Sequence, residues 1–253
     1  MSRLVALLLA CSWTLSVLAA QTFAPPPRVE REFRGAWVAT VDNIDWPSKP
    51  GLPTAAARDE LDAIVARAQQ LRLNALVFQV RPAADAMYES RLEPWSAWLT
   101  GVQGKAPQPP WDPLAHLIVT AHRAGLEVHA WFNPYRARHP ASQGPLAPAH
   151  VANKLPAACV TFGKYLWMDP GNPQAARWSL DVIADVVARY DIDGVHLDDY
   201  FYPYPEKGVV FADDASFRGY QRQGGKLLRD DWRRRNIDDF VYRLYTETHA
   251  KKP

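Results

Sequence analysis

The feature of this sequence that most restricts its fold is a regular alternation of short apolar strands with amphipathic helices. Strands are predicted at residues 34–42, 75–81 and 127–135, and a fourth within residues 191–203. Each is followed by apolar residues at helical spacing. This order predicts parallel strands joined by right-handed helical crossovers, and therefore an α/β fold built from four βα units.

Capping residues mark the predicted helices. The helix before the third strand has Asp112 at its N-cap, Pro113 at its first helical position and Gly125 just past its end. These three residues form a complete set of start and stop signals. The preceding and following helices are predicted to begin at Thr54, as an N-cap, and at Asn172.

Two longer stretches complete the pattern. Residues 136–171 are predicted to form a long loop, and a loop of that length is associated with function. Residues 216–249 are predicted to form one helical region, because Ile237, Phe240 and Val241 recur at helical spacing.

The stretch 191–203 ends its apolar strand in two adjacent carboxylates. Side chains alternate along a strand, so His196, Asp198 and Tyr200 share one face while Asp199 points to the other. In a strand buried on both faces, the polar face has to line a cavity, because an unpaired buried carboxylate is very costly. Asp198 is therefore a functional candidate; the alternative is that the two acids cap the next turn or pair with arginines.

Every predicted strand has polar residues near its carboxyl end, at alternate positions that share one face of the strand. They are Thr40 and Asp42, Gln79 and Arg81, Asn133 and Tyr135, and His196, Asp198 and Tyr200. Parallel strands bring these ends to one edge, where sites form in open sheets and in barrels. The sequence has no glycine-rich phosphate loop, no Gly-x-Ser-x-Gly elbow and no cysteine cluster, which argues against nucleotide, serine-hydrolase and zinc sites. No cofactor is predicted.

Charge and aromatic content restrict the choice of partner. A net charge of +2, from 29 basic and 27 acidic residues, gives no bias toward nucleic acid. The chain has ten tryptophans, whose flat rings suit stacking on sugars, although core packing is the alternative for most of them.

The N-terminus has the pattern of a targeting segment. Residues 1–20 combine a basic start, an apolar run and small residues, which predicts a signal peptide cleaved after Ala19. A lipobox-like sequence ending at Cys11 is the alternative and predicts an outer-membrane lipid anchor. Residues 21–32 are predicted to be a proline-rich linker, and residues 33–253 the domain. The mature protein is expected in the periplasm or cell envelope.

Six motifs occur in the order of one known family. They are Phe33-Arg34-Gly35-Ala36-Trp37 with Asn43-Ile44-Asp45-Trp46-Pro47, Phe78-Gln79-Val80-Arg81-Pro82, Glu93-Pro94-Trp95-Ser96, His129-Ala130-Trp131-Phe132-Asn133-Pro134-Tyr135-Arg136, Asp169-Pro170-Gly171-Asn172-Pro173, and Asp193-Gly194-Val195-His196-Leu197-Asp198-Asp199-Tyr200-Phe201-Tyr202-Pro203. With these motifs the chain resembles the glycosyl-hydrolase-like 10 family of exported bacterial proteins, some of which act on peptidoglycan. The resemblance implies a (β/α)8 TIM barrel acting on glycan strands of the cell wall. About the first four of its eight βα units are expected here, so this half barrel is expected to self-associate.

Glycoside hydrolysis usually requires two carboxyl groups beside the bond. Asp198 is the first candidate and Asp199 the second. Asp42 and Asp45 are candidates for orienting a sugar hydroxyl, with a turn role as the alternative. Arg81 is a candidate for gripping an acidic sugar substituent or supporting a carboxylate, and an ion pair with Asp198 is its structural alternative.

The remaining candidates are expected to bind substrate. Asn133 suits hydrogen bonding to a sugar, and Trp131, Tyr135 and Tyr200 suit stacking. His129 and His196 have barrel-facing parity, and a hydrogen-bonded core histidine is the alternative for each.

Two rival functions stay open at this point. One is a glycan-binding half barrel without catalysis. The other is a metal-dependent hydrolase that uses Asp198, Asp199, His196 and His129, although adjacent acids on opposite strand faces make this ligand set awkward. Glycan turnover would distinguish a hydrolase from a glycan-binding protein, and chelator sensitivity would distinguish a metal-dependent hydrolase from a carboxylate-dependent one.

Overall fold

The computed structural model describes residues 32–252, so the predicted signal peptide and most of the predicted linker lie outside the described residues. The described elements are, in chain order, β1 (Gly35–Val38), α1 (Thr54–Gln70), β2 (Ala75–Arg81), α2 (Ala97–Thr100), α3 (Pro113–Arg123), β3 (Glu127–Phe132), β4 (Arg136–Arg138), α4 (Val151–Lys154), β5 (Cys159–Phe162), β6 (Tyr165–Met168), α5 (Pro173–Arg189), β7 (Gly194–Leu197), α6 (Asp214–Arg222) and α7 (Arg229–His249). Within residues 32–252, no helix has the length and apolarity to span a bilayer.

The main sheet has four strands in the order β1-β2-β3-β7, and every neighbouring pair is parallel. The predicted parallel α/β arrangement is thereby confirmed. In the described part of the chain β1 and β7 are the outer strands, and the sheet does not close into a barrel.

One face of this sheet belongs to the apolar core. Phe78 of β2 and Ala130 and Phe132 of β3 are fully buried, in the same cluster as helix residues such as Leu61 and Leu117. The opposite side is here named the inner face. Strand register places the following side chains on it: Trp37, Val77, Gln79, His129, Trp131 and His196.

The first strand corrects the sequence-based prediction. Trp37 pairs with Val77, so Trp37 lies on the inner face, where it is 66% exposed. The strand ends at Val38, and residues Val41–Asn43 form a 3-10 turn in which Asp42 has a φ of 55°. The prediction that Thr40 and Asp42 continue the strand and share one of its faces is therefore wrong, because side-chain alternation stops where the backbone turns.

The helix caps were predicted with mixed success. Asp112 caps α3 by accepting a hydrogen bond from the Ala115 amide, as predicted. Asn172 likewise caps α5 through the amide of Gln174. Thr54 is the first residue of α1 and not its cap; its hydroxyl donates to the carbonyl of Gln108.

Two predicted stretches differ in the structure. Residues 136–171 contain a three-stranded antiparallel sheet, ordered β4-β6-β5, in place of a long loop. Strands β5 and β6 are joined by the two residues Gly163 and Lys164, and Gly163 supplies the positive φ of 55° that this tight turn uses. The predicted helix at residues 216–249 is two helices, α6 and α7, because Gly224 adopts a φ of 89° between them.

Candidate functional site

Asp198 lies directly after β7, at the carboxyl edge of the main sheet. Its Oδ2 accepts a hydrogen bond of 2.7 Å from Nδ2 of Asn133. Its Oδ1 accepts one of 3.2 Å from the backbone amide of Tyr200. Both oxygens serve as acceptors, so the side chain is held in the arrangement of a carboxylate, at the edge where α/β sheets carry their sites.

Arg136, the first residue of β4, is the basic group beside this carboxylate. Its side chain is buried, Nε donates to the carbonyl of Pro82 at 2.9 Å, and the guanidinium lies 5.4 Å from the ring centroid of Tyr200. Burial lowers the pKa of Arg136, and attraction to Asp198 only partly offsets that effect. Within residues 32–252, no carboxylate oxygen comes within 4.0 Å of this guanidinium.

Arg81 does not pair with Asp198. It forms a two-pronged ion pair with Glu93, with Nε to Oε2 at 2.8 Å and Nη2 to Oε1 at 2.6 Å, and both side chains are fully buried. Burial lowers the pKa of Arg81, but the Glu93 carboxylate more than offsets this, so the pKa is raised. Trp178 donates to Glu93 and Arg81 to the carbonyl of Asn133. The guanidinium is fully occupied within the protein, which corrects its predicted contact with substrate.

Three other acids lie apart from this arrangement. Asp199 is exposed and accepts a hydrogen bond from the hydroxyl of Tyr204. Asp45 is exposed and accepts a bond of 2.7 Å from the amide of Ala39, so it stabilises its own turn. Asp42 is exposed in the 3-10 turn.

His129 and His196 lie on the inner face, as predicted from their parity. His129 interacts with Glu127 at 3.0 Å and packs over Gly194, where a Cβ atom would lie 2.4 Å from its Nδ1. It is therefore nearer the amino end of the sheet than Asp198. His196 packs against Trp37 and Trp131, with ring centroids 5.8 and 6.1 Å away. Burial lowers the pKa of His196.

Four buried polar atoms on this side of the sheet have no hydrogen-bond partner among the described residues. They are Gln79 Nε2, Trp131 Nε1, His196 Nε2 and Asn133 Oδ1. The first three belong to neighbouring positions of β2, β3 and β7, in register with one another. Buried polar atoms are nearly always satisfied, so such a cluster indicates a surface that takes its partners from outside these residues.

Tyr135 is wrongly predicted to stack on a sugar. Its side chain is fully buried, and its ring lies 5.2 Å from that of Phe240 in α7. Burial raises the pKa of Tyr135. The residue lies beyond the end of β3, so strand alternation no longer determines its direction.

Aromatic rings form a continuous series across the carboxyl edge. In spatial order they are Trp98, His139, Tyr165, Trp167, Tyr200 and Tyr204, with successive centroids 6.2, 5.6, 5.9, 6.4 and 5.2 Å apart. Tyr204 is 56% exposed, while Tyr200 and Tyr165 are half-buried. A row of rings with accessible members is the kind of surface on which sugar C–H faces stack.

Asp85 follows β2 in the loop at the same edge and is buried. Its oxygens accept bonds from the amide of Ala83 at 3.1 Å and from Gln103 at 3.4 Å. Burial raises the pKa of Asp85 to about 6, although hydrogen bonds, the largest from Ser96, oppose the shift. Its negative charge acts on both Arg81 and Arg136.

No metal centre is assembled from the residues proposed for it. Within residues 32–252, no group of three or more histidine, cysteine or acidic side chains has an arrangement that could hold a metal ion. The set Asp198, Asp199, His196 and His129 is therefore not a ligand cluster.

A family model described as glycosyl hydrolase-like 10 matches residues 32–253. The chain belongs to this family. It is 42% identical over 225 residues to glycosyl hydrolase YngK of Bacillus subtilis (strain 168), covering 88% of this chain and 44% of that protein. It is 33% identical over 248 residues to glycosyl hydrolase DigH of Escherichia coli (strain K12), covering 90% of this chain and 55% of that protein. The chain thus spans about half the length of these curated relatives.

Solved structures of glycosidases have the same fold. An alpha-L-fucosidase isoenzyme 2 from Paenibacillus thiaminolyticus matches with a TM-score of 0.56 and 14% identity, over 88% of this chain and 31% of that one. The alpha-galactosidase from Lactobacillus brevis matches with a TM-score of 0.50 and 13% identity, over 88% of this chain and 26% of that one. The fold class is therefore the TIM-barrel type expected from the sequence, with a four-stranded part of it present in the described residues.

Sequence reasoning missed several residues of this edge. Arg136 and Glu93 lie inside motifs that carried the family resemblance, but neither was assigned a role. Tyr165 and Trp167 lie in the stretch predicted as a loop, where alternating apolar residues around Gly163 signal a hairpin.

Proposed function

We propose that this chain is part of an exported glycoside hydrolase that cleaves glycan strands of the bacterial cell wall, with Asp198 as one of its catalytic carboxyl groups. The observation that carries the proposal is the setting of Asp198 at the carboxyl edge. Asn133 and the Tyr200 amide fix its two oxygens, and the aromatic series passes beside it at Tyr200.

The chemistry follows from this geometry. The transition state of glycoside hydrolysis resembles an oxocarbenium ion, so a carboxylate with fixed oxygens can stabilise it or attack its anomeric carbon. Both oxygens of Asp198 accept hydrogen bonds, which favours this anionic role over that of a proton donor. Asp199 is retained as the second catalytic candidate on its position in the chain, and Tyr204 is its hydrogen-bond donor.

The substrate-binding proposals are revised by the contacts. Asn133 and Tyr200 remain candidates, and the unpartnered Nε atoms of Trp131 and His196 add hydrogen-bonding capacity on the inner face. His129 is a weaker candidate for substrate binding because it lies nearer the amino end of the sheet. The exposed Asp42 and Asp45 remain candidates for orienting a sugar hydroxyl.

The experiment places this sequence in a complete barrel by joining it to the remaining barrel segment of the 42% identical Bacillus subtilis relative. The chimera is incubated with purified cell-wall glycan strands, and new reducing ends are counted. We expect turnover that resists a chelator. Binding without turnover would support the hypothesis of a glycan-binding protein without catalysis. Loss of turnover with a chelator would support the hypothesis of a metal-dependent hydrolase.

Export is proposed from the composition of residues 1–20. Cell fractionation of the tagged protein is expected to place it in the periplasm or envelope. A Cys11→Ser variant that loses a membrane-bound form would establish the lipid anchor, and an unchanged distribution would favour cleavage after Ala19.

Self-association of the 253-residue chain by itself is also proposed. Outer strands β1 and β7 have unpaired edges among the described residues, and Trp37 presents a large exposed ring on the inner face. Light scattering is expected to give a mass above that of the monomer, lowered by Trp37→Gln. A monodisperse monomer for the parent chain would contradict this proposal.

A further inference from the structure

Two arginines are buried among residues 32–252, Arg81 and Arg136. Arg81 has a carboxylate on its guanidinium, Glu93, in a two-pronged ion pair. Arg136 has no carboxylate within 4.0 Å in this part of the chain. A buried guanidinium without a contacting anion is unusual, because burial of a charge is costly unless the charge is paired.

The position of the Arg136 guanidinium is nevertheless well defined. Its Nε donates to the carbonyl of Pro82 at 2.9 Å, and its Cζ lies over the ring of Tyr200, 5.4 Å from the ring centroid. These contacts leave the two terminal nitrogens, Nη1 and Nη2, without an acceptor among the described residues, and neither is among the fully enclosed unpartnered atoms. A fixed guanidinium with two free parallel donors matches the geometry of a carboxylate.

Asp198 exerts the largest attraction on Arg136, but its own hydrogen bonds go to other groups. One oxygen is bound to Asn133 and the other to the Tyr200 amide. Its charge still acts on Arg136, yet burial outweighs that attraction and keeps the pKa of the guanidinium lowered. Tyr200, Tyr165 and Asp85 also raise the pKa of Arg136, but together with Asp198 they raise it by less than burial lowers it.

We propose that Arg136 is a specificity-determining residue of the site, and that its free terminal nitrogens bind a carboxylate substituent carried by a sugar unit of the glycan. This inference rests on the proposed function and names the substrate class within it: acidic glycans, recognised next to the Asp198 carboxylate. The role of gripping an acidic substituent, expected for Arg81 from the sequence, belongs to Arg136.

The test is a binding measurement with two chemically matched ligands. One is an oligosaccharide of alternating N-acetylglucosamine and N-acetylmuramic acid, and the other is the same oligosaccharide with each carboxylate converted to a carboxamide. Calorimetry on the full chain gives the ratio of the two dissociation constants. The parent is expected to prefer the carboxylate form by about tenfold or more, the worth of a charge-assisted bidentate bond.

Three variants locate the source of that preference. Arg136→Gln is expected to bring the ratio to within about twofold of unity, because it removes the charge. Arg136→Lys keeps a charge but not the fork, so the ratio falls by about threefold. Arg138→Gln is the matched control, since Arg138 is two positions along β4 and donates to the carbonyls of Ser142 and Gly144; its ratio stays at the parent value.

The outcomes separate the inference from the proposed function. A parent ratio below about two, no binding of the carboxylate form at about 10 mM, or an unchanged ratio in Arg136→Gln overturns the inference. If thermal unfolding shows that Arg136→Gln does not fold, an unchanged ratio in Arg136→Lys overturns it. Discrimination by the full chain, with no glycan cleavage by the full-barrel chimera, keeps the inference and removes the hydrolase. Cleavage by the chimera, with no discrimination between the two ligands in binding, does the reverse.

Discussion

Arg81 and Arg136 are buried near the same strand ends but have opposite surroundings. Arg81 and Glu93 form a fully buried ion pair, here named the sealed pair, in which each charge contacts the other away from solvent. Arg136 and Asp198 attract each other without contact, and each is held by other groups. Two buried charges that contact each other hold the structure together, whereas two charges that do not contact each other remain available to a ligand. The comparison separates residues that hold this edge together from residues that can act on a substrate.

Two tyrosines repeat the contrast. The ring of Tyr135 is enclosed against Phe240, whereas that of Tyr200 is half-buried in the aromatic series and lies under Arg136. Both were equal candidates for stacking from their positions in the sequence. Only the half-buried ring can reach a sugar in the described structure.

The largest expected effect is on the sealed pair. Glu93→Gln leaves the buried Arg81 charge without its counterion, so the free energy of unfolding should fall by roughly 3–5 kcal/mol. Urea denaturation measures it. The control is Glu60→Gln, where a half-buried glutamate accepts hydrogen bonds from Ser48 and a change within about 1 kcal/mol is expected.

A double variant sharpens this result. Arg81→Met with Glu93→Leu removes both charges, and its stability should exceed that of Glu93→Gln alone. A Glu93→Gln variant as stable as the parent would mean that the pair does not stabilise the fold.

The tyrosine pair should show an effect of comparable size, divided between two measurements. Tyr135→Ala is expected to cost about 3–5 kcal/mol of unfolding free energy, because it opens a cavity in the core. Tyr200→Ala should leave stability within about 1.5 kcal/mol and weaken glycan binding by about 1–3 kcal/mol, through the Michaelis constant more than the turnover number. Equal losses of stability in both variants would contradict the distinction.

Asp85 provides a smaller, pH-dependent test, because its charge acts on both arginines. Its folded pKa of about 6 lies above its ordinary value of 3.8, so the folded state binds the proton more tightly. Stability should therefore decrease as pH rises from about 4 to about 6, by at most about 3 kcal/mol for this group.

Asp85→Asn should flatten that part of the stability profile. Burial also raises the pKa of Asp169, so Asp169 retains a slope of the same sign in the variant. An unchanged profile in Asp85→Asn would show that Asp85 does not titrate in this range.

The parts of the fold that local sequence determines were predictable. The bounds of β2 and the capping of α3 were confirmed because a buried strand and a capped helix carry their signals within a few residues. The face of Trp37 was not predictable, since a large apolar ring on a partly exposed face reverses the usual rule that apolar residues point to the core.

The site was predictable where strand periodicity applies. Asp198 and Asn133 are the first residues after β7 and β3, close enough to the strands for alternation to predict their face, and the hydrogen bond between them confirms their proximity. The partner of Arg81 was not predictable, because Glu93 is 12 residues away in a loop whose path no periodicity determines. Arg136 begins a strand of three residues that pairs with a hairpin far along the chain, so its position is also a tertiary result.

The central claim is that Asp198 acts on substrate and does not hold the fold together. The most direct measurement is the rate of glycan cleavage by Asp198→Asn in the full-barrel chimera, with Asp59→Asn, at an exposed position of α1, as the control. We expect Asp198→Asn to lower the rate by about a thousandfold or more, while its free energy of unfolding stays within about 1 kcal/mol of the parent. A cleavage rate within about tenfold of the parent would contradict the account.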